Sequence, residues 1–281
     1  MHCGHQFLSH TRSKRWIQQA FNSYCNGKQT LAELSQQLGK SISTLQRHFD
    51  ALVIKSIIPV APKESVNLVI DATFFSRSDG VLVFRAQQRN LHWQFITSET
   101  LAEIALGLDQ LDNHGYQFKS VVLDGRKGVI QLFEARYPGI PIQLCQFHQA
   151  QIIRRYTTNN PKTKCGYALK AIMHHLTETS EEVFKSLFET WCEEYDEFLK
   201  ERNDQGQFMH RRLRSARRSI RTNMRYLFTY KNYPELKIPN TTNSCDGSFA
   251  HWKQKVKIHR GLRKHRRNKV INYLLNQSKK P

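Results

Sequence analysis

Apolar and polar positions along the chain fall into two regimes. Between residues 67 and 99 three stretches carry the dense apolar and aromatic pattern of β-strands: NLVIDATFF, GVLVFRAQQ and LHWQFITSE. Asp79-Gly80 supplies a hairpin turn between the first two. TLAEIALGLDQLDNHG then repeats apolar residues at helical spacing, with Thr100 placed to cap it and Gly115 to stop it. FKSVVLDG reads as a buried strand, GVIQLFEARYPG as a helix, and IPIQLCQFH as a further strand. The predicted order is β-β-β-α-β-α-β, an α/β arrangement with a mixed sheet of five strands flanked by helices. Residues 150–235 change to helical periodicity with no strong strand, too long for a loop, which predicts an all-helical insertion.

Upstream, residues 27–50 predict a helix-turn-helix. Leu31, Leu34 and Leu38 repeat at helical spacing, Gly39 breaks the helix, and Ser41 can cap a second helix carrying Ile42, Leu45 and Phe49. Small Ser35 stands where the two helices would touch. The second helix would present Lys40, Ser43, Thr44, Gln46 and Arg47 to a DNA groove; an ordinary helical hairpin would share the same apolar pattern. PVAPKE at 59–64 looks like a linker. These features divide the chain into an N-terminal DNA-binding region, 1–58, and a catalytic domain, 65–281, containing the helical insertion.

Composition narrows the class of partner. The 281 residues contain 43 Lys and Arg against 23 Asp and Glu, a net charge of +20 with a pI near 9.9. A polyanion is the expected partner, and double-stranded DNA the leading one. The basic residues cluster, notably in HRRLRSARRSIRTNMRY, with Arg211, Arg212, Arg214, Arg217 and Arg218, and in KQKVKIHRGLRKHRRNK, with Arg260 and Arg263. The six cysteines show no CxxC pair, which fits reduced thiols and a cytoplasmic, nucleoid-associated location. No apolar stretch approaches a membrane span, and the N-terminus has no apolar core of a signal peptide.

Within this basic chain three acids stand apart. Asp71 ends VNLVID, Asp124 ends SVVLD, and Asp246 lies in TTNSCDGSF near a predicted helix start. Three carboxylates are what two-metal phosphoryl transfer needs: hard oxygens around two Mg²⁺ or Mn²⁺ ions, one activating the attacking oxygen and the other stabilising the leaving one. Taken singly, each has a simpler reading. Strand-ending aspartates are common turn formers, and an acid at a helix start is a favourable cap.

VIDATFF, VLDGRKG, CQFHQAQIIRRY and TTNSCDGSF followed by HRGL together resemble the Mutator-like DDE transposases of bacterial insertion sequences, over nearly the whole chain. The resemblance implies a ribonuclease H-like core, whose first and fourth strands are neighbours, and Asp71, Asp124 and Asp246 as the catalytic, metal-holding triad. It also implies that the protein binds insertion-sequence ends, cuts them by metal-activated water, joins the 3′-hydroxyl to target DNA, and works as a homo-oligomer on DNA. CQFH matches the family's C/D-x-x-H element and assigns Cys145 and His148 a supporting place at the active site; a buried thiol and a satisfied imidazole is the plainer alternative. The family's third acid is usually Glu, where this chain has Asp246. HCGHQF resembles the second half of a zinc ribbon, with Cys3 and His5 too few to hold zinc. Two other readings are kept: another nuclease or resolvase of the same fold, and a transposase-derived DNA-binding protein without catalysis.

Overall fold

The computed structural model describes residues 15–56, 58–259 and 261–277, with the backbone alone described at Asp246. Cys3, His5 and Arg260 lie outside the described residues. Two compact units emerge, residues 58–249 in one and residues 15–56 with 250–277 in the other. The division therefore differs from the expected 1–58 and 65–281 at its C-terminal end.

The larger unit is α/β. Its sheet runs β3-β2-β1-β4-β5, with β1 Val66–Ser76, β2 Asp79–Ala86, β3 Arg89–Ile96, β4 Phe118–Leu123 and β5 Ile142–Leu144. The first three strands are antiparallel; β1, β4 and β5 are parallel, so β1 and β4 lie side by side. Helices α4 Leu101–Asn113 and α5 Lys127–Arg136 follow β3 and β4. Thr100 caps α4 by accepting from the Glu103 backbone N–H. One sheet face, with Leu68, Ile70, Leu82, Phe84, Val121 and Leu123, joins the main apolar core together with Ile104, Leu108, Val129 and Phe133 of the two helices. Burying such side chains contributes roughly 1.5–3 kcal/mol each.

Two local expectations are corrected. The hairpin turn falls at Arg77 and Ser78, because Asp79 already pairs with Ser76, whose hydroxyl donates to the Asp79 carboxylate at 2.8 Å. Gly80 serves the strand instead: a Cβ there would stand 2.7 Å from the Phe74 ring opposite it. Strand β5 stops at Leu144, not at His148. Gln146 begins α6, Gln146–Thr157, and Cys145 is its N-cap residue.

After α6 every regular element among the described residues is helical. These are α7 Lys164–His174, α8 Glu181–Glu194, α9 Asp196–Lys200, α10 Arg211–Leu227, α11 Thr229–Asn232, α12 Asn243–Ile258 and α13 Lys264–Gln277. α10 packs on α6 and β5, where its apolar residues Leu213, Ala216, Ile220 and Leu227 join the core.

The smaller unit is helical. Gly39 closes α2, Leu31–Leu38, with φ +59°, and Ser41 caps α3, Ile42–Ala51, by accepting from the Thr44 N–H. Together with α1, Arg15–Cys25, these bury Phe21, Tyr24, Leu34, Leu45 and Phe49. The C-terminal helix is built into this unit by polar contacts. Arg266 grips the Asp50 carboxylate with two nitrogens, at 2.9 and 2.6 Å. Lys269 donates to the Phe49 carbonyl at 2.9 Å, and Asn272 and Asn276 donate to the carbonyls of Ile54 and Lys55.

His259 is buried here, stacked on Tyr24 with ring centroids 3.8 Å apart, and its Nε2 donates to the Tyr24 carbonyl at 2.8 Å. Burial lowers its pKa below the ordinary histidine value, by more than the hydrogen bond to Tyr24 raises it. The native chain therefore favours neutral imidazole, whereas the unfolded chain takes up a proton near pH 6.5. Stability is full above that pH and falls as pH drops through it. Thermal melts between pH 7.5 and 5 should show this loss, with a shallower pH dependence in His259→Gln.

Candidate active site

Strand register brings the first two acids together. In the parallel ladder Leu68 is level with Val121 and Val69 with Val122. Continued two residues, the same register sets Asp71 level with Asp124, just past the end of β4. Alternation keeps Val69 and Asp71 on one face, the face opposite the main core. Asp71 is buried at 7% exposure, and its Oδ1 accepts from the Ala72 N–H at 2.8 Å. Asp124 is more open, its side chain 30% exposed, with Oδ1 accepting from the Arg126 N–H at 3.3 Å. Asp124 stands just past the carboxyl end of β4, whereas Asp71, expected at a strand end, lies in the middle of β1, which runs on to Ser76 and pairs Asp71 with Val83 of β2.

Three charged groups that the sequence did not single out complete this surface. Arg126 reaches the Asp124 carboxylate at 3.3 Å and pairs directly with Glu99, whose backbone carbonyl accepts from Arg126 Nη1 at 2.8 Å. Burial raises the Glu99 pKa, the Arg126 guanidinium opposes that, Asp124 adds to it and His148 opposes it. Arg126, Asp124 and His148 therefore all lie within electrostatic reach of Glu99. On the same sheet face Arg85, opposite Val69, is buried at 6% exposure and donates to the Ser248 hydroxyl at 2.8 Å and to the Gln88 carbonyl at 3.1 Å. Burial lowers the Arg85 pKa from its ordinary value. Arg126 was visible within VLDGRKG; Glu99 and Arg85 carried no signal, since their roles come from tertiary approach alone.

Arg85 also locates the third acid's helix. Its bond to Ser248 sets the second turn of α12 against the face that carries Asp71, and Asp246 lies in the first turn of that helix. The start of α12 is fixed from a second side by the β5–α6 junction. The Gln146 N–H donates to the Asn240 carbonyl and the Asn240 amide donates to Gln146 Oε1, both at 3.0 Å. The Thr242 N–H and hydroxyl donate to Cys145 Sγ at 3.3 and 3.4 Å, and Thr242 Oγ1 lies 3.5 Å from His148 Nδ1. Burial pushes the Cys145 thiol up, but hydrogen bonds from His148 and Thr242 outweigh it and leave the pKa below its ordinary value. Cys145 thus joins the strand beside Asp124 to the loop that leads into α12. Among the described residues no group of three His, Cys, Asp or Glu side chains gathers around one metal position, with the Asp246 side chain outside that description.

The expected DNA-facing residues separate into exposed and engaged ones. In α3, Ser43 and Arg47 are exposed, as is Lys40 before it, with Nζ 5.8 Å from the Trp16 ring centroid. Thr44 serves the cap of α3, and Gln46 shares a cleft with Arg263 and Leu31. In α10, Arg211, Arg212 and Arg218 are exposed, with Arg211 donating to Gln207 Oε1 and Arg212 to the Arg155 carbonyl. Arg214 instead lies over the Phe208 ring at 3.5 Å and donates to the Leu199 carbonyl; Arg217 is paired with Asp196 at 2.9 Å. These last two hold the helical region together.

Compared with known proteins, the chain matches no family model and no curated sequence.

Buried glutamines hold this junction. Gln143 and Gln146 both donate to the Leu227 carbonyl at 2.9 Å, the end of α10, and Gln146 also reaches the Leu176 carbonyl at 3.1 Å. Gln146→Leu leaves these acceptors and the Asn240 amide without that partner in a buried setting. A loss of about 1–3 kcal/mol is expected, read from urea unfolding, against a near-neutral result for a substitution at exposed Gln151.

Proposed function

We propose that the chain is a metal-dependent DNA transposase of the Mutator-like DDE type, with a ribonuclease H-like core and aspartate as the third acid. The carrying observation is the β1–β4 register, which, continued two residues past Val69 and Val122, sets Asp71 in β1 level with Asp124 just beyond β4, on one face. The sheet order, the position of Asp246 on a helix set against the same face, and the +20 charge support the reading. In this proposal the helical stretch between β5 and α12 is the family's insertion, and α2–α3 is a helix-turn-helix that reads the element ends.

The donor set suits Mg²⁺ or Mn²⁺: oxygen ligands, acidic, on a sheet face open on the Asp124 side. When bound, two such ions would lower the pKa of the attacking water or 3′-hydroxyl and stabilise the departing oxygen. Asp71 would contribute to both ion positions, Asp124 to one and Asp246 to the other. Glu99 and Arg126 fix the direction of the Asp124 carboxylate, and Cys145 with Thr242 fixes the start of the helix that carries Asp246. A non-catalytic DNA-binding role would leave the neighbouring acids of β1 and β4 without a purpose, since like charges side by side cost stability.

Labelled duplexes bearing the element's terminal repeats provide the test, incubated with Mg²⁺ or Mn²⁺. Asp71→Ala, Asp124→Ala and Asp246→Ala should each cut cleavage by about a hundredfold or more, while gel-shift affinity without metal stays near wild type. Asp246→Glu should retain activity. Wild-type cleavage by Asp71→Ala or Asp124→Ala would reject the reading. For end recognition, Arg47→Ala with Ser43→Ala is the appropriate variant, because removing residues 1–58 would also strip α13 of its partners.

A further inference from the structure

We propose that the cleft between α6 and α10 is the track along which the sugar-phosphate backbone of duplex DNA reaches the acid pair. The inference rests on the reading of Asp71 and Asp124 as the strand-cleaving site. The cleft begins at Gly125, the residue after Asp124, where the Asn223 amide of α10 comes within 3.6 Å of the position a Cβ would take. Its walls carry Lys127 and Arg155, both exposed, and from α10 the side chains of Ser215, Arg218, Ser219 and Thr222.

Three features point to a phosphodiester backbone. The first is charge: this cleft and the two that adjoin it through Tyr156 and Arg218 are lined by Lys and Arg, and among the described residues no Asp or Glu lines any of them. The second is the mixture of donors. Hydroxyls of Ser215, Ser219 and Thr222 alternate with cations, the combination that contacts phosphate oxygens without reading bases. The third is length. Arg211 to Thr222 spans twelve residues of α10, about 16 Å of helix at ~1.5 Å per step. That is too long for a single phosphate group.

Rigidity suits the track to this task. α10 is clamped to α6 by the Asn223–Gln149 bond at 2.8 Å and the Gln149–Ser219 bond at 3.2 Å, and its far side by Arg217–Asp196. Arg155 and Arg218 thus project from helices fixed against each other.

The test is equilibrium binding of a duplex oligonucleotide, with chelator and no metal, over a range of salt. Arg155→Ala with Arg218→Ala should weaken binding at least tenfold and reduce the slope of log affinity against log salt by about two. Lys63→Ala with Lys185→Ala removes equal charge from exposed positions elsewhere and should change both values far less. Arg155→Lys with Arg218→Lys should restore most of the affinity, which excludes misfolding as the cause. Unchanged affinity and slope in the alanine pair, or an equal loss in the lysine control, overturns the track. Metal-dependent cleavage in Asp71→Ala is measured in parallel. If wild type and Asp71→Ala cleave equally, the active-site reading fails by itself; if only wild type cleaves and the alanine pair binds normally, the track fails by itself.

Discussion

Parallel pairing of β1 with β4 is the constraint on which the site depends. Its register brings two aspartates to neighbouring positions on one face, one of them almost buried. Like charges so placed repel, more strongly as water is withdrawn. The surroundings answer that repulsion with oriented groups. The Ala72 N–H reaches Asp71, the Arg126 N–H and guanidinium reach Asp124, and Glu99 holds Arg126 in turn. In the proposed function these contacts would hold the two carboxylates in place for a small cation.

A second constraint carries the helix of the proposed third acid, Asp246, to the same sheet face. Asp246 is more than a hundred residues beyond Asp124, and the intervening helices must return the chain to the sheet. That return is made by specific polar contacts. Gln146 and Asn240 exchange hydrogen bonds, Thr242 donates to Cys145, and Arg85 holds Ser248. Cys145 and His148 have a structural part here: the thiol accepts from Thr242 in the loop before α12, and His148 hydrogen-bonds the thiol. α10 belongs to the same construction, since its last carbonyls are taken up by Gln143 and Gln146.

Much of the sheet was legible in the sequence because apolar runs, caps and turn residues are local signals. Thr100, Gly39 and Ser41 act where their chemistry placed them, and the order of elements made β1 and β4 neighbours. The end of β5 was not legible, because Ile142, Leu144, Cys145 and Phe147 carry apolar positions on past the strand while Cys145 turns the chain into α6. The membership of α13 in the smaller unit was equally hidden. It rests on Arg266, Lys269, Asn272 and Asn276 meeting one carboxylate and several backbone carbonyls over two hundred residues away. The arginine run of α10 was legible as charge but not as division of labour, since only tertiary contacts show Arg214 and Arg217 turned to structural use. Glu99 and Arg85 are site residues for the same reason: spacing along the chain says nothing of them.

The central claim is that Asp71 and Asp124 jointly hold a divalent cation. Electron paramagnetic resonance of Mn²⁺ titrated into the full chain measures this without substrate or turnover. The account predicts saturable Mn²⁺ binding by wild type that is sharply weakened in both Asp71→Asn and Asp124→Asn, with each variant retaining its thermal melt. Mn²⁺ binding equal to wild type in both variants would contradict it.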